Sequence, residues 1–354
     1  MGTVKRDYWP TEAWRTTEPA SVGIDSKKLS DLDHIISSQH KNIHGIVMVK
    51  DGYIAFERYY HGYGPCDAHR VASVTKSFTS ALIGMAVDSG YIPSIDQKVL
   101  HFFPDYVTHD IRKKTVTLKH LLTMTAPFTF SWKGNQGGQE PLDRLRRQRD
   151  WVTYILNQMG GKGQSGMFQY STAGTHLLSA IITQTTGRCA RAFANEHLCG
   201  PLGMRDIPDH DMKTFSLDDV FGNHATGWLK DPKGNSIGGF GLTITPRDMA
   251  RFGFLYLNGG MWDNKQIISK AWIDASTTPH AEVMIDESLA KYGYLWWIRE
   301  EKGMSIYLAL GDGGNVICCV PEKDLVVAIA GKIGRKPIDR WPLFETYILP
   351  AILD

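Results

Sequence analysis

The chain has 354 residues, of which 42% are apolar and 21% charged, enough for a substantial core and outside the ranges of disordered, collagenous or coiled-coil proteins. Its 39 basic and 37 acidic side chains nearly cancel, leaving a formal charge of +2. That balance provides no field to hold a phosphate backbone, so nucleic acid is not an expected partner. Taking about 150 residues per domain gives roughly two domains, or one large domain with an inserted part.

The N-terminus lacks the apolar run of ~7–15 residues that an export signal needs, and no segment reaches ~18 uninterrupted apolar residues. A cytoplasmic protein with no membrane span is the expectation. The five cysteines, Cys66, Cys189, Cys199, Cys318 and Cys319, form no C-x-x-C pair and read as buried thiols. Cys318 and Cys319 are adjacent in a strand-like run, which points their side chains to opposite faces.

In chain order, Gly45 to Tyr59 is two β-rich runs joined by Asp51-Gly52, a turn dipeptide that tolerates positive φ, and reads as a hairpin. From Ser73, the apolar residues Val74, Phe78, Ala81, Leu82, Met85 and Ala86 recur at helical spacing until Ser89-Gly90 stops them. Phe130 to Glu140 and Gly160 to Gly166 are glycine-rich loops. Thr245-Pro246 supplies a cap and a first-turn proline for a helix carrying Met249, Phe252, Leu255 and Tyr256. Ser305 to Leu310, Val316 to Val320 and Leu325 to Ala330 read as an antiparallel meander. Two strand groups at opposite ends of a chain are unstable alone, and completing one sheet together satisfies both. The expected fold is α/β (α+β): an antiparallel sheet built from both chain ends with flanking helices, formed by residues 1–100 and 235–354, and a mainly helical inserted region, 101–234.

The tetrad Ser73-Val74-Thr75-Lys76 carries the chemistry. Residues three apart share a helix face, which sets the Ser73 hydroxyl beside the Lys76 amine. A serine becomes nucleophilic when a neighbouring base takes its proton, and a desolvated lysine can serve. Alone, S-x-x-K is a weak signal. It is followed, in order, by Tyr170-Ser171-Thr172-Ala173-Gly174 and Gly311-Asp312-Gly313-Gly314-Asn315, with Leu118 to Thr125 and Gly239 to Ala250 as further matching stretches.

This ordered set resembles the serine β-lactamase and penicillin-binding-protein superfamily. It is most similar to the class C branch with its related esterases, D-amino-acid amidases and 6-aminohexanoate-oligomer hydrolases. The resemblance spans about Val22 to Ala330. It implies Ser73 as nucleophile, Lys76 as its activating partner and Tyr170 as the phenol that relays protons. The backbone N–H groups of Ser73 and Asn315 become the oxyanion hole. Gly313 and Gly314 are expected to let substrate approach the strand edge.

Two positions depart from the family's pattern. Thr172 stands where the Y-x-N motif has its amide. Asp312 stands where K-T-G or H-T-G places a cation or imidazole, so an anion there is expected to disfavour carboxylate-flanked lactams and peptides. The expected function is hydrolysis of a small ester or amide without cofactor or metal. The alternatives are a β-lactamase or D-amino-acid peptidase, and a non-catalytic binding protein on the same fold. The sequence leaves oligomeric state open. Trp132, Trp228, Trp296 and Trp297 are candidates for cleft walls or core. Arg144, Arg146, Arg147 and Arg149 read as a solvated helix face or a cleft lining. The thirteen histidines show no H-E-x-x-H spacing. Gly163 to Met167 fails the G-x-S-x-G pattern at its last position, and no phosphate loop occurs.

Overall fold

The computed structural model describes residues 6–129, 142–161, 164–222, 224–285, 288–334 and 338–352. The Phe130–Glu140 loop and Trp132 lie outside the described residues, as do two positions of the Gly160–Gly166 loop.

Helix α1 (Ser26–Gln39) begins at Asp25, whose carboxylate accepts from the Lys27 and Lys28 N–H groups. Strands β1 (Ile43–Lys50) and β2 (Tyr53–Tyr59) form the expected hairpin, with Asp51 at φ 54° and Gly52 at φ 89° in its turn. After the hairpin come α2 (Thr75–Asp88), α3 (Thr172–Thr186) and α4 (Pro246–Leu257). Thr245 caps α4 by accepting from the Asp248 N–H, and Pro246 occupies the first turn, as the residue types dictate. The remaining strands of the large sheet are β3 (Ala281–Ile285), β4 (Ser288–Tyr292), β5 (Trp297–Glu301), β6 (Met304–Gly311), β7 (Asn315–Val320) and β8 (Leu325–Gly331).

These eight strands form one antiparallel sheet in the order β2-β1-β8-β7-β6-β5-β4-β3. The N-terminal hairpin joins the C-terminal meander where β1 pairs with β8, Ile46 opposite Ile329 and Met48 opposite Val327. Between residues 101 and 234, the described regular elements are helical.

At the centre of the sheet, β1, β7 and β8 are covered on both faces, which explains why these strands are apolar nearly throughout rather than alternating with polar residues. On the inner face, Val47, Ile317 and Val326 belong to a cluster that continues through Phe78 and Leu82 of α2 to Leu121, Trp151 and Leu177. On the outer face, Ile46, Met48, Val327 and Ile329 pack with Leu32 and Ile36 of α1 and with Phe344 and Ile348 near the C-terminus. Cys318 lies in the outer cluster and Cys319 in the inner one, as the strand period requires. The expectation of five buried thiols is corrected at two positions. Cys66 is exposed and Cys189 half-buried, because both lie outside the regular elements that carry the core. Among the described residues, no helix is long and apolar enough to cross a membrane.

Candidate active site

Ser73 lies in a short 3-10 turn, Ala72–Val74, that runs directly into α2. The turn is entered from the two-residue strand His69–Arg70, which pairs with Thr243–Ile244, and Val71 N–H donates to Leu242 O at 3.1 Å. Ala72 is held at φ 48°, a conformation unfavourable for a residue with a Cβ. The surrounding hydrogen bonds impose it, with Thr75 Oγ1 donating to Ala72 O at 2.7 Å. This turn fixes the backbone on either side of the half-buried Ser73.

Lys76 follows one helical turn later and is 1% exposed. Its Nζ donates to Ser73 Oγ at 2.9 Å, to Thr172 Oγ1 at 3.2 Å and to Gly239 O at 2.8 Å. Those three oxygens use the full donor capacity of an ammonium. Nζ also lies 4.8 Å from the centre of the Tyr170 ring. Sequence separations of three, 94 and 96 residues are thereby collapsed onto one nitrogen.

Tyr170 and Thr172 reach Lys76 because α3 begins there. Ser171 caps that helix by accepting from Gly174 N–H at 2.8 Å, which leaves its neighbours on either side at the helix entrance. Gly239 is fitted between the two helices: a Cβ on it would lie 2.6 Å from Thr172 Cγ2. No sequence pattern above assigns the Gly239 carbonyl to Lys76; the signal for it is the glycine pair Gly238-Gly239, where the Gly239 to Ala250 stretch begins.

Aromatic rings wall the site on one side. Tyr170 stacks on Trp297 with ring centres 6.0 Å apart and planes 17° apart, and Phe168 approaches the same indole at 6.0 Å. Tyr292 lies beneath them, edge-on to Tyr170. Burial, with the nearby Tyr170 adding to it, pushes the Tyr292 phenol well above its ordinary pKa, so that hydroxyl stays protonated. Of the candidate tryptophans, Trp297 is half-buried at the site, whereas Trp228 and Trp296 are core. Arg146 and Arg147 are both paired with Asp143 at 2.6 Å, and Arg146 also donates to Phe215 O at 3.0 Å.

The Gly311–Asn315 segment divides into the end of β6, a turn and the start of β7. Gly311, the last residue of β6, makes the close approach to the Ser73 turn: a Cβ there would lie 2.2 Å from Val71 O and 3.1 Å from Ser73 N. Asp312 follows it in an exposed turn. Gly313 and Gly314 have φ of 84° and 71°, and added Cβ atoms would meet Lys332 O at 2.7 Å and Arg340 Nε at 2.4 Å. Both glycines are packed against the backbone of Lys332 and the guanidinium of Arg340. Asn315 is fully buried opposite Gly311 on β7. Its amide staples the turn, donating to Asp312 O at 2.6 Å and accepting from Gly331 N–H at 3.0 Å.

Comparison with known proteins agrees with this architecture. A family model described as Beta-lactamase matches residues 32–332. The 6-aminohexanoate-dimer hydrolase of Paenarthrobacter ureafaciens is 24% identical over 339 residues, covering 90% of this chain and 81% of that protein. Two crystal structures share the fold. A penicillin-binding protein homolog from Caulobacter crescentus has a TM-score of 0.69 at 18% identity, over 92% of this chain and 97% of its own. A D-stereospecific amidohydrolase from Streptomyces has a TM-score of 0.67 at 16% identity, over 91% and 99%. The chain belongs to the beta-lactamase family and is a hydrolase of the β-lactamase fold.

Proposed function

We propose that the protein hydrolyses a small ester or amide through a covalent acyl-enzyme on Ser73. The observation that carries this reading is the buried Lys76 Nζ, 2.9 Å from Ser73 Oγ and beside both Tyr170 and Thr172.

Lys76 as an uncharged amine has two N–H donors and one lone pair. The Gly239 carbonyl can only accept, and the Thr172 hydroxyl can accept the second N–H. That leaves the lone pair for the Ser73 O–H. In acylation, Ser73 Oγ bonds to the substrate carbonyl carbon while its proton passes to Lys76. As the bond to the leaving group breaks, the Lys76–Tyr170 pair returns a proton to the departing alcohol or amine. In deacylation, water adds to the acyl carbon, the bond to Oγ breaks, and Ser73 recovers its proton.

The oxyanion takes one hydrogen bond from Ser73 N–H. We assign the second to Asp312 N–H, the residue after Gly311, instead of Asn315, because Gly311 is the backbone that approaches Ser73 and Asn315 is buried behind it. In this register the strand positions preceding Gly311 are Ala309 and Leu310, so β6 itself offers no cation to a carboxylate beside the scissile bond. The aromatic wall of Phe168, Tyr170 and Trp297 favours an apolar acyl or leaving group. Both the 6-aminohexanoate-dimer hydrolase and the amidohydrolase are named for amide hydrolysis, which supports amides beside esters.

The test is p-nitrophenyl butyrate hydrolysis by wild type and Ser73→Ala, with intact mass recorded during turnover. Steady turnover that falls by ~10³-fold or more in the variant supports the mechanism. Equal rates, with no acyl mass on the wild type, overturn it.

A further inference from the structure

A cavity of about 440 Å³ opens at the end of the sheet where β1 begins and β8 ends, and Ser73, Lys76 and Tyr170 are not among its lining residues. Its size is in the ~300–1,000 Å³ range of small-molecule pockets. It is lined by Lys41, His44, His61, His69, Arg70 and Lys332, with Tyr63 over them, and among the described residues no carboxylate lines it. Arg70 is three residues before Ser73, so the two Cα atoms are within about 11 Å. On the other side, Lys332 O lies against Gly313 of the turn that follows β6.

The chemistry of the lining is one-sided. Among the described residues, Lys41, Arg70 and Lys332 have no acidic partner. The Arg70 guanidinium donates to Gly222 O at 2.5 Å and Val220 O at 2.9 Å, bonds that fix it without neutralising it. His69 is only 6% exposed, and its Nε2 has no hydrogen-bond partner among the described residues, which is unusual for so buried a ring. Its Nδ1 meets His44 Nδ1 at 3.2 Å, and the Tyr63 ring stacks on His44 at 4.1 Å. Two facing nitrogens share one proton between neutral rings. Burial, reinforced by His44 and opposed by Asp67, holds His69 down to about 4; burial, then His61 and Lys332, also lower His44. The rings therefore act as neutral hydrogen-bonding groups, and the positive charge comes from Lys41, Arg70 and Lys332. Among the described residues, no group of three or more His, Cys, Asp or Glu is arranged to hold a metal ion.

We propose that this cavity is an anion pocket that takes a carboxylate or phosphate group, held by Lys41, Arg70 and Lys332 over the His44–His69 pair. The anion has two sources: a carboxylate on the substrate remote from the scissile bond, or a free anion acting beside the site.

The experiment titrates acetate and inorganic phosphate into the full-length protein labelled at histidine ring carbons, and follows the ring signals by NMR. A saturable shift of the His44 and His69 signals, weakened at least tenfold in the Lys41→Gln/Lys332→Gln double variant, is expected. No saturable shift, or the same affinity in the double variant, overturns the proposal. Binding is read without turnover, so a protein that hydrolyses no ester still tests the pocket. The source is separated by comparing p-nitrophenyl butyrate with p-nitrophenyl hydrogen adipate, which carries a remote carboxylate. A substrate carboxylate site predicts that phosphate competes with the adipate ester alone; a free-anion site predicts equal effects on both.

Discussion

Replacing Gly311 with alanine tests whether the end of β6, and not Asn315, is the backbone that builds the site. The added methyl would lie 2.2 Å from Val71 O and 3.1 Å from Ser73 N. Non-bonded heavy atoms settle at about 3.5 Å, so β6 and the Val71–Ser73 turn must separate by roughly 1 Å. Gly311 is not among the residues at positive φ, so alanine accepts its backbone conformation and the effect is contact alone. A displacement of that size between a nucleophile and an oxyanion donor costs on the order of 10²-fold in rate. Overpacking of this kind costs about 1–3 kcal/mol of stability, which leaves the fold intact at low temperature. The assay is kcat for p-nitrophenyl butyrate, measured well below the Tm of each variant. Gly334→Ala is the control, because a Cβ there meets nothing within 4 Å. If Gly311→Ala keeps kcat within threefold of wild type, the assignment of the second oxyanion donor to the residue after Gly311 is refuted.

Other residues make separate predictions. Lys76→Ala lowers kcat by ~10²-fold or more, and Tyr170→Phe lowers it similarly; unchanged kcat in either removes that residue from proton transfer. Trp297→Ala removes the ring stacked on Tyr170 and raises KM for apolar p-nitrophenyl esters more than for p-nitrophenyl acetate; equal effects on both would place the indole outside the substrate's reach. Asp231 is fully buried against His176, at 3.1 Å. Burial alone raises its pKa, but hydrogen bonds from His176 and Asn235 outweigh it and hold the carboxyl below the ordinary range. A depressed folded-state pKa stabilises above the unfolded value of about 3.9, and that contribution is lost as pH falls below it. Urea unfolding of wild type and Asp231→Asn should therefore show a stability gap at pH 6 that narrows on acidification through this range. A gap that widens would contradict the assignment.

The sequence determined what local rules govern. Asp51-Gly52 set a hairpin, Thr245-Pro246 set a helix start, and three apolar runs near the C-terminus set a meander, because turn chemistry, capping and side-chain period act within a few residues. It also placed Ser73 and Lys76 on one turn, since a three-residue spacing has only one helical meaning. Pairing of the two chain ends followed from the need of each strand group for a partner. Only the tertiary structure decided what depends on packing between distant segments. Gly239 anchors Lys76 because α2 and α3 cross there, and nothing in the neighbouring sequence of either helix specifies that crossing. In Gly311-Asp312-Gly313-Gly314-Asn315, three glycines are interchangeable as letters. The fold separates them: Gly311 faces Ser73, while Gly313 and Gly314 face Lys332 and Arg340, because the strand ends at the first glycine and the turn begins after it. The histidines of the Lys41–Arg70–Lys332 cavity stand 25 residues apart or less in sequence without any ligand-like spacing. They converge because the start of β1, the loop after β2 and the segment before Ser73 all lie at one end of the sheet, a consequence of strand order that no local pattern encodes.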